Sequence, residues 1–341
     1  MSPESSIASA HCSTRGEPAL PAGGASVKSV SELICYSGRK VVKPTVFIQT
    51  NHKQMLGALV AEYSLKRNSP HADQFDVRIL HTKDFPFLWE REGQEYLRDG
   101  VTRRWHMDDL QSFTPTRFLP PQLMDYQGRA VVIDPDVFAV GDVWELFSRE
   151  MRGAAIMARP RSGYKEKKGV MATSVMLLDC GQLTHWRVEE QFADMFAMRR
   201  DYAKWIGLLY EPKESIGLLE NEWNDFDRLT PATKMLHLTK RRTQPWKTGL
   251  PVDFMPPEKP SGFVMLGWIN QVRRRLFGDY AFLGHYARHP DPNQERFFFA
   301  LLRECVDKGI VSEEMLREEM KQNHVRHDAF EVLEKTVPLA A

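Results

Sequence analysis

The chain has 341 residues, 42% of them hydrophobic, which is enough apolar surface for one large α/β domain or two smaller ones. Its 46 basic and 45 acidic side chains nearly balance, which excludes a global field that would draw it to nucleic acid or to an anionic membrane. The sequence has no run of about 18 apolar residues that would predict a membrane span, and no secretory signal, so we expect a cytoplasmic protein.

Three regions are predicted along the chain. Residues 1–42 are rich in Ser, Ala, Gly and Pro, a composition that cannot bury enough surface to offset its ordering entropy, so we expect a flexible leader. Residues 43–250 alternate between strand and helix patterns and are expected to form the main α/β domain. Residues 251–341 are predicted to be a proline-rich connection followed by a helical extension.

The main domain opens with a strand, a helix and a second strand. TVFIQT (45–50) and FDVRILHT (75–82) predict strands, and KQMLGALVAEYSLKRN (53–68) has the apolar spacing of an amphipathic helix. This order favours a parallel sheet with a right-handed crossover. The aromatic and charged stretch 85–110 has an irregular period, and we expect a helix and a loop over the sheet.

The later elements continue the alternation. Up to residue 250, the patterns predict a short helix at 116–126, a strand at 130–134, a helix at 140–151, strands at 154–160 and 169–179, a helix at 181–198 and a short strand at 234–239. Beyond it, helices are predicted at 267–280, 293–309 and 312–323, the last with Ser312 as N-cap. The aromatic and arginine mixture at 268–277 predicts either contact with a membrane face or packing on the main domain.

Two aspartates follow the apolar strand at 130–134. In open α/β sheets, ligands bind beyond the carboxyl ends of the strands. Residues i and i+2 of an extended segment face the same way, and Pro135 favours extended backbone at Asp134, so Asp134 and Asp136 can meet one cation. Carboxylate oxygens suit Mg²⁺ or Mn²⁺. An ordinary strand end remains the alternative, and a similar DFD pattern at 225–227 follows no predicted strand.

Four segments in this order resemble glycosyltransferase family 8. They are RFLPPQLMDYQGRAVVIDPDVFAVGDVWELF (117–147), SVMLLDCGQL (174–183), LLENEWN (218–224) and LHLTKRRTQPWK (236–247), within a similarity that spans roughly residues 45–248. The resemblance, which is greatest to a bacterial branch of that family, implies the GT-A fold. In that fold, a Rossmann-like, mixed and mostly parallel central sheet is flanked by helices; here a C-terminal helical extension would follow it.

The resemblance also implies roles for single residues. The metal ligands would be Asp134, Asp136 and His237, holding Mn²⁺, with Mg²⁺ as the alternative ion. Donor-binding roles are implied for Gln49, Thr50, Asn51, Arg117, Asp134, Thr173, Ser174, Lys240 and Lys247. Trp223 and Asn224 would lie on the acceptor side. The resemblance assigns no catalytic residue, and Glu220 and Glu222 are the candidates on the acceptor side.

Structural roles remain open for several of these residues. His237 alone would fit a core histidine, Trp223 a core side chain, Arg117 a surface ion pair, and the two glutamates solvated charges. Two departures from the family pattern concern the donor site: Gln244 stands where the family has a lysine before Pro-Trp, and Ala172-Thr173-Ser174 replaces Asn-Ala-Gly.

The implied function is transfer of a hexose from a nucleotide sugar, with UDP-hexose as the expected donor, to a hydroxyl acceptor with retention of anomeric configuration. The alternative is a non-catalytic nucleotide-sugar-binding or scaffolding protein with a degenerate GT-A site. A sugar nucleotidyltransferase is disfavoured because the loop QTNHKQ (49–54) has no glycine. No nucleic-acid partner is expected. Peripheral contact of the C-terminal helices with the inner face of the membrane is the alternative to their packing on the main domain, and the oligomeric state is left open.

Overall fold

The computed structural model describes residues 42–161, 169–254 and 283–339. The predicted leader, apart from Val42, and the predicted helix at 267–280 with its membrane contact lie outside these residues. Among the helices in the described ranges, none combines the length and the apolarity needed to cross a bilayer.

The described elements alternate between strands and helices, as the sequence predicts for the main domain. The strands are β1 (Thr45–Thr50), β2 (Asp76–His81), β3 (Glu95–Arg98), β4 (Val101–Arg104), β5 (Arg129–Ile133), β6 (Val137–Ala139), β7 (Ile156–Pro160), β8 (Met171–Asp179), β9 (Ile216–Leu218), β10 (Asp225–Phe226) and β11 (Met235–His237). The helices are α1 (Met55–Arg67), α2 (Pro86–Trp89), α3 (Pro120–Leu123), α4 (Trp144–Phe147), α5 (Val188–Phe196), α6 (Tyr202–Ile206), α7 (Pro292–Asp307), α8 (Glu313–Lys321) and α9 (Ala329–Lys335).

Within the described ranges, six strands form the central sheet in the order β2-β1-β5-β8-β7-β9. Neighbours pair in parallel except where β8 runs against β5 and β7, so five of the six strands share one direction. Successive residues of β1 are buried in separate apolar clusters, Val46 and Ile48 in one and Phe47 in the other. A strand covered on both faces reads as a continuous apolar run. The predicted mixed, mostly parallel sheet flanked by helices is confirmed.

A β-hairpin replaces part of the helix and loop predicted at 85–110. Strands β3 and β4 pair antiparallel around Asp99 and Gly100, which have φ values of +54° and +73°. Positive φ at both central residues suits a two-residue hairpin turn, and Asp-Gly is a common sequence signal for it. The sequence contains that signal, but the irregular period of the flanking residues does not predict the paired strands.

Other elements differ in length from their predictions. The helix predicted at 140–151 is limited to the single turn α4, and the helix predicted at 181–198 begins only at Val188. The sequence does not predict strands β9 and β10. Strand β10 contains Asp225 of the DFD pattern, for which the sequence predicts no strand, and it pairs with β11.

A small second sheet brings distant parts of the chain to the end of β5. Its strands lie in the order β10-β11-β6, and β11 pairs antiparallel with β6 so that His237 is opposite Val137. The backbone N–H of Leu238 also donates to the carbonyl of Asp136 at 3.1 Å. This register places His237 beside the second aspartate.

The C-terminal helices pack into the same core as the sheet. The predicted helices at 293–309 and 312–323 are present as α7 and α8, and the Ser312 hydroxyl accepts the backbone N–H of Met315 as predicted for an N-cap. On α7, the fully buried Phe298 contacts Phe138 and Trp246, with ring centroids 5.4 and 4.7 Å apart. Helix α7 therefore covers the Pro-Trp segment that follows His237.

Replacing Phe298 with alanine is expected to lower the free energy of unfolding by about 3–5 kcal/mol, because it removes a fully buried ring and leaves a cavity. Urea unfolding followed by tryptophan fluorescence and by circular dichroism measures this loss. The same change at the exposed Ile310 serves as control and should alter the value by less than ~0.5 kcal/mol. A small effect at Phe298 would contradict a shared core.

Candidate metal and donor site

A cavity of about 910 Å³ opens at the edge of the sheet where the parallel strands end. Asp134 and Asp136 follow β5 at this edge, and Arg161 follows β7. Because β8 runs the other way, its first residues, Met171 to Ser174, reach the same edge. The sequence-based expectation of a site beyond the strand ends matches the position of this cavity.

Asp134 is held by a buried arginine. Its carboxylate accepts from Arg117 Nε at 2.8 Å and also from Arg117 Nη2, while its backbone N–H donates to the carbonyl of Ser174. Burial raises the pKa of Asp134, and the neighbouring Asp136 adds to this, whereas Arg117 opposes it. The fork of Arg117 thus sets the orientation of the first carboxylate.

His237 lies beside Asp136, with its Nε2 atom 3.3 Å from Asp136 Oδ1. Its other ring nitrogen, Nδ1, is 2.8 Å from the side-chain oxygen of Asn224. One ligand atom from each of Asp134, Asp136 and His237 lies within 4.8 Å of the other two, which is close enough for one metal ion. The three residues predicted as metal ligands therefore form a single group.

Asp136 has a neutral neighbour in Gln244, whose side-chain nitrogen donates to Asp136 Oδ2 at 3.2 Å. Each of the three acidic or imidazole groups is therefore held by a different side chain: Asp134 by Arg117, Asp136 by Gln244 and His237 by Asn224. Outer partners of this kind fix ligand orientation in metal sites.

The two hydroxyl residues predicted on the donor side both line the cavity, but their hydrogen bonds differ. Thr173 accepts from Arg117 Nη1 at 2.9 Å and donates its proton to the carbonyl of Ile206 at 2.8 Å. The hydroxyl oxygen of Ser174 accepts from the side-chain nitrogen of Asn224 at 3.0 Å.

The polar residues at the end of β1 lie beneath the cavity surface. Gln49, Thr50 and Asn51 are fully buried and do not line the cavity. The Asn51 amide donates to the Ser112 hydroxyl, and its oxygen accepts from the backbone N–H of Lys53. Gln54, one turn further along the chain, lines the cavity instead.

The basic cluster after His237 is divided between three environments. Lys247 is fully buried, and its Nζ lies 2.7 Å from Asp253 Oδ2; burial lowers the pKa of this lysine. Lys240 is exposed and, like Lys247, does not line the cavity. Arg241, between them, does line it and lies over the ring of Phe254.

The acceptor-side and catalytic candidates lie outside the cavity lining. Trp223 belongs to the apolar core, and Asn224 is buried behind His237 and Ser174. Glu220 is exposed and pairs with Arg149 at 2.6 Å, which lowers the pKa of Glu220. Glu222 is likewise absent from the cavity wall.

Sequence reasoning missed several charged residues of the cavity. Besides Arg241, which belongs to the basic cluster after His237, the described lining includes three cations and one acid with no predicted role: Arg98, Arg161, Lys204 and Asp99. Arg98 and Asp99 belong to the β3–β4 hairpin, so the Asp-Gly turn signal would have placed them together at a loop tip. Lys204 lies in a short helix without a distinctive pattern.

No family model and no curated protein matches the chain. Similar solved structures include the glycosyltransferase GlyE from Streptococcus pneumoniae TIGR4, with 14% identity and a TM-score of 0.42 over 79% of this chain and 64% of GlyE. The galactosyltransferase LgtC, in complex with donor and acceptor sugar analogs, has 10% identity and a TM-score of 0.41 over 59% of this chain and 89% of LgtC. Mouse xyloside xylosyltransferase 1 has 14% identity and a TM-score of 0.37 over 58% of this chain and 98% of the mouse protein. The chain thus spans less than two thirds of GlyE, and similarity at this level does not establish a family.

Proposed function

We propose that the protein is a metal-dependent glycosyltransferase of the GT-A type, which transfers a hexose from UDP-hexose to a hydroxyl acceptor with retention of anomeric configuration. The observation that carries the proposal is the meeting of Asp134, Asp136 and His237, from separate segments of the chain, in one cavity. These are the residues to which the family resemblance assigns the metal.

The ligand atoms of Asp134, Asp136 and His237 fit a divalent cation. Two carboxylates and an imidazole combine hard oxygen ligands with one nitrogen ligand, a combination that favours Mn²⁺ and also allows Mg²⁺. The Nδ1 atom of His237 faces the Asn224 oxygen, which leaves Nε2 directed at Asp136. When bound, the cation would contact the donor diphosphate and stabilise the negative charge that develops as the sugar leaves.

The charged residues of the cavity suit an anionic donor. Arg117 pairs with Asp134, so its charge is largely balanced. Arg241 lines the cavity on the segment that follows His237, and we assign it the contact with the diphosphate that a lysine makes in the family. The cavity volume, about 910 Å³, lies in the range of ligand pockets and accommodates a nucleotide sugar.

No side chain is proposed as nucleophile or base. The acids of the described cavity lining are Asp134, Asp136 and Asp99, and the first two are assigned to the metal. We assign removal of the acceptor proton to the leaving diphosphate because the resemblance to family 8 implies it. Location in the cytoplasm belongs to the same proposal and rests on the sequence, with peripheral contact at the membrane as an alternative to packing of the C-terminal helices on the main domain.

A panel of UDP-sugars tests the proposal. With Mn²⁺ present, UDP should bind, and one UDP-sugar of the panel should be hydrolysed slowly, because the site that activates the donor also admits water as acceptor. Binding is measured by calorimetry and hydrolysis by release of UDP, each with and without EDTA. UDP binding that EDTA leaves unchanged would contradict the role of the metal.

A non-catalytic nucleotide-sugar-binding or scaffolding protein remains the second candidate. It is favoured by Gln244, which contacts Asp136 at the position where the family has a lysine. In that case UDP-sugars bind with Mn²⁺ and none is hydrolysed or transferred, so the same panel separates the two functions.

A further inference from the structure

A chain of hydrogen bonds connects the candidate metal ligand His237 with the cavity wall at Ser174. Asn224 stands between them: its oxygen lies 2.8 Å from His237 Nδ1, and its nitrogen lies 3.0 Å from the Ser174 hydroxyl. Asn224 is buried, and its backbone carbonyl accepts from Arg159 Nη1 at 2.6 Å. The amide is thus fixed at its backbone as well as at its side chain.

The metal site determines which group donates and which accepts in each of these hydrogen bonds. A cation among the acids would bind His237 at Nε2, the ring nitrogen that faces Asp136. A neutral imidazole ligated at Nε2 carries its proton on Nδ1 and donates it to the Asn224 oxygen. The amide nitrogen must then face Ser174 and donate to its hydroxyl oxygen.

With these directions, the Ser174 hydroxyl can donate a hydrogen bond to a ligand. Within the described ranges, no protein group accepts a hydrogen bond from the Ser174 hydroxyl, and Ser174 lines the cavity. The neighbouring Thr173 differs, because its hydroxyl already donates a hydrogen bond to the carbonyl of Ile206. Ser174 is therefore the residue of this pair whose proton is directed to the cavity.

We propose that the Ser174 hydroxyl donates a hydrogen bond to an oxygen of the bound sugar. Asn224 fixes this direction of the hydrogen bond by linking Ser174 to the metal-bound His237. The proposal rests on the proposed function, since it concerns the sugar of the same donor. It makes Asn224 a positioning residue for both the metal ligand and the sugar contact. It also requires that the sugar group in contact with Ser174 accepts a hydrogen bond.

Two substitutions of Asn224 separate its two roles. Asn224→Leu removes both hydrogen bonds and should weaken Mn²⁺ binding by about 10- to 100-fold, as loss of an outer partner does. Asn224→Asp keeps an acceptor for Nδ1–H but has no donor, so the Ser174 hydroxyl turns to donate to the new carboxylate. The affinities for Mn²⁺ and UDP should then stay within a few-fold of wild type. The affinity for the UDP-sugar that wild type hydrolyses should fall about 3- to 10-fold. If wild type hydrolyses none, UDP-glucose and UDP-galactose are used instead.

Ser174→Ala should reproduce the loss seen with Asn224→Asp, and the double variant should be no weaker than either single one. Asn221→Asp adds the same charge at an exposed position of the same turn and serves as control. Calorimetry with Mn²⁺, UDP and the UDP-sugars measures all variants, and thermal melting verifies their folding. Nitrogen-15 spectra, recorded with diamagnetic Mg²⁺ in place of paramagnetic Mn²⁺, should show His237 protonated at Nδ1 in wild type and in Asn224→Asp.

Wild-type affinity of Asn224→Asp for the UDP-sugar would overturn the polarity assigned to Ser174. Wild-type Mn²⁺ affinity of Asn224→Leu, or a His237 protonated at Nε2 alone, would overturn the link to the metal. If wild type binds Mn²⁺ but neither UDP nor any UDP-sugar, the proposed function and the sugar contact both fail, and the Mn²⁺ and nitrogen-15 results still decide the link between Asn224 and His237.

Discussion

Asp136→Asn is expected to abolish Mn²⁺-dependent binding of UDP. Asp136 supplies one of the three ligand atoms that meet in the cavity, and the change removes its negative charge while keeping its shape. Because the lost group is itself a proposed ligand of the metal, the drop in Mn²⁺ affinity should exceed the ~10- to 100-fold effect of losing an outer partner. Calorimetric titration with Mn²⁺, and with UDP in the presence of Mn²⁺, measures the loss.

Asp179→Asn is the matched control for this experiment. Asp179 ends β8 at the opposite edge of the sheet and caps a short turn by accepting the backbone N–H of Gly181, a role that asparagine also fills. This variant should bind Mn²⁺ and UDP as wild type does. Retained Mn²⁺-dependent UDP binding in Asp136→Asn would exclude Asp136 as a metal ligand.

Arg117→Met should produce the largest loss of stability among changes to the site, about 3–5 kcal/mol in the free energy of unfolding. Arg117 and Asp134 are both buried, and the arginine makes a two-pronged contact with the carboxylate. Methionine fills much of the volume but leaves the Asp134 carboxylate without its counter-charge. Urea unfolding at neutral pH without divalent cations measures the effect.

Two further conditions distinguish the charge effect from lost packing. Asp134→Asn in the Arg117→Met background should recover much of the stability, because no buried charge then lacks a partner. Saturating Mn²⁺ should stabilise Arg117→Met by more than it stabilises wild type, because the ion then supplies the positive charge that the variant lacks. If the double variant is as unstable as Arg117→Met, packing rather than charge explains the loss.

The fold could be predicted where a strand is covered on both faces. β1, β5 and β8 read as apolar runs because each contributes to both core clusters, and α1 and α7 follow the spacing of buried helix faces. The short strands β9, β10 and β6 could not be predicted in this way. They contain two or three residues each, and pairing with distant partners rather than local pattern determines them.

The candidate site could be predicted only in part for a similar reason. Asp134 and Asp136 are recognisable locally, because they directly follow a buried strand. His237 joins them through the antiparallel register of β6 and β11, which nothing near His237 in the sequence specifies; the family resemblance pointed to it. The roles of Asn224 and Gln244 as partners of His237 and Asp136 depend on that packing, so they became visible only in the structure.

The packing of α7 bears on how the protein can be divided. The Trp246 ring is covered by Phe298, and its backbone carbonyl accepts from the N–H of Arg326 at 2.7 Å. Trp246 lies two residues after Gln244, which contacts Asp136. A truncated chain ending near residue 250, where the resemblance found in the sequence stops, would expose this tryptophan to water and remove the support of the segment that contacts Asp136.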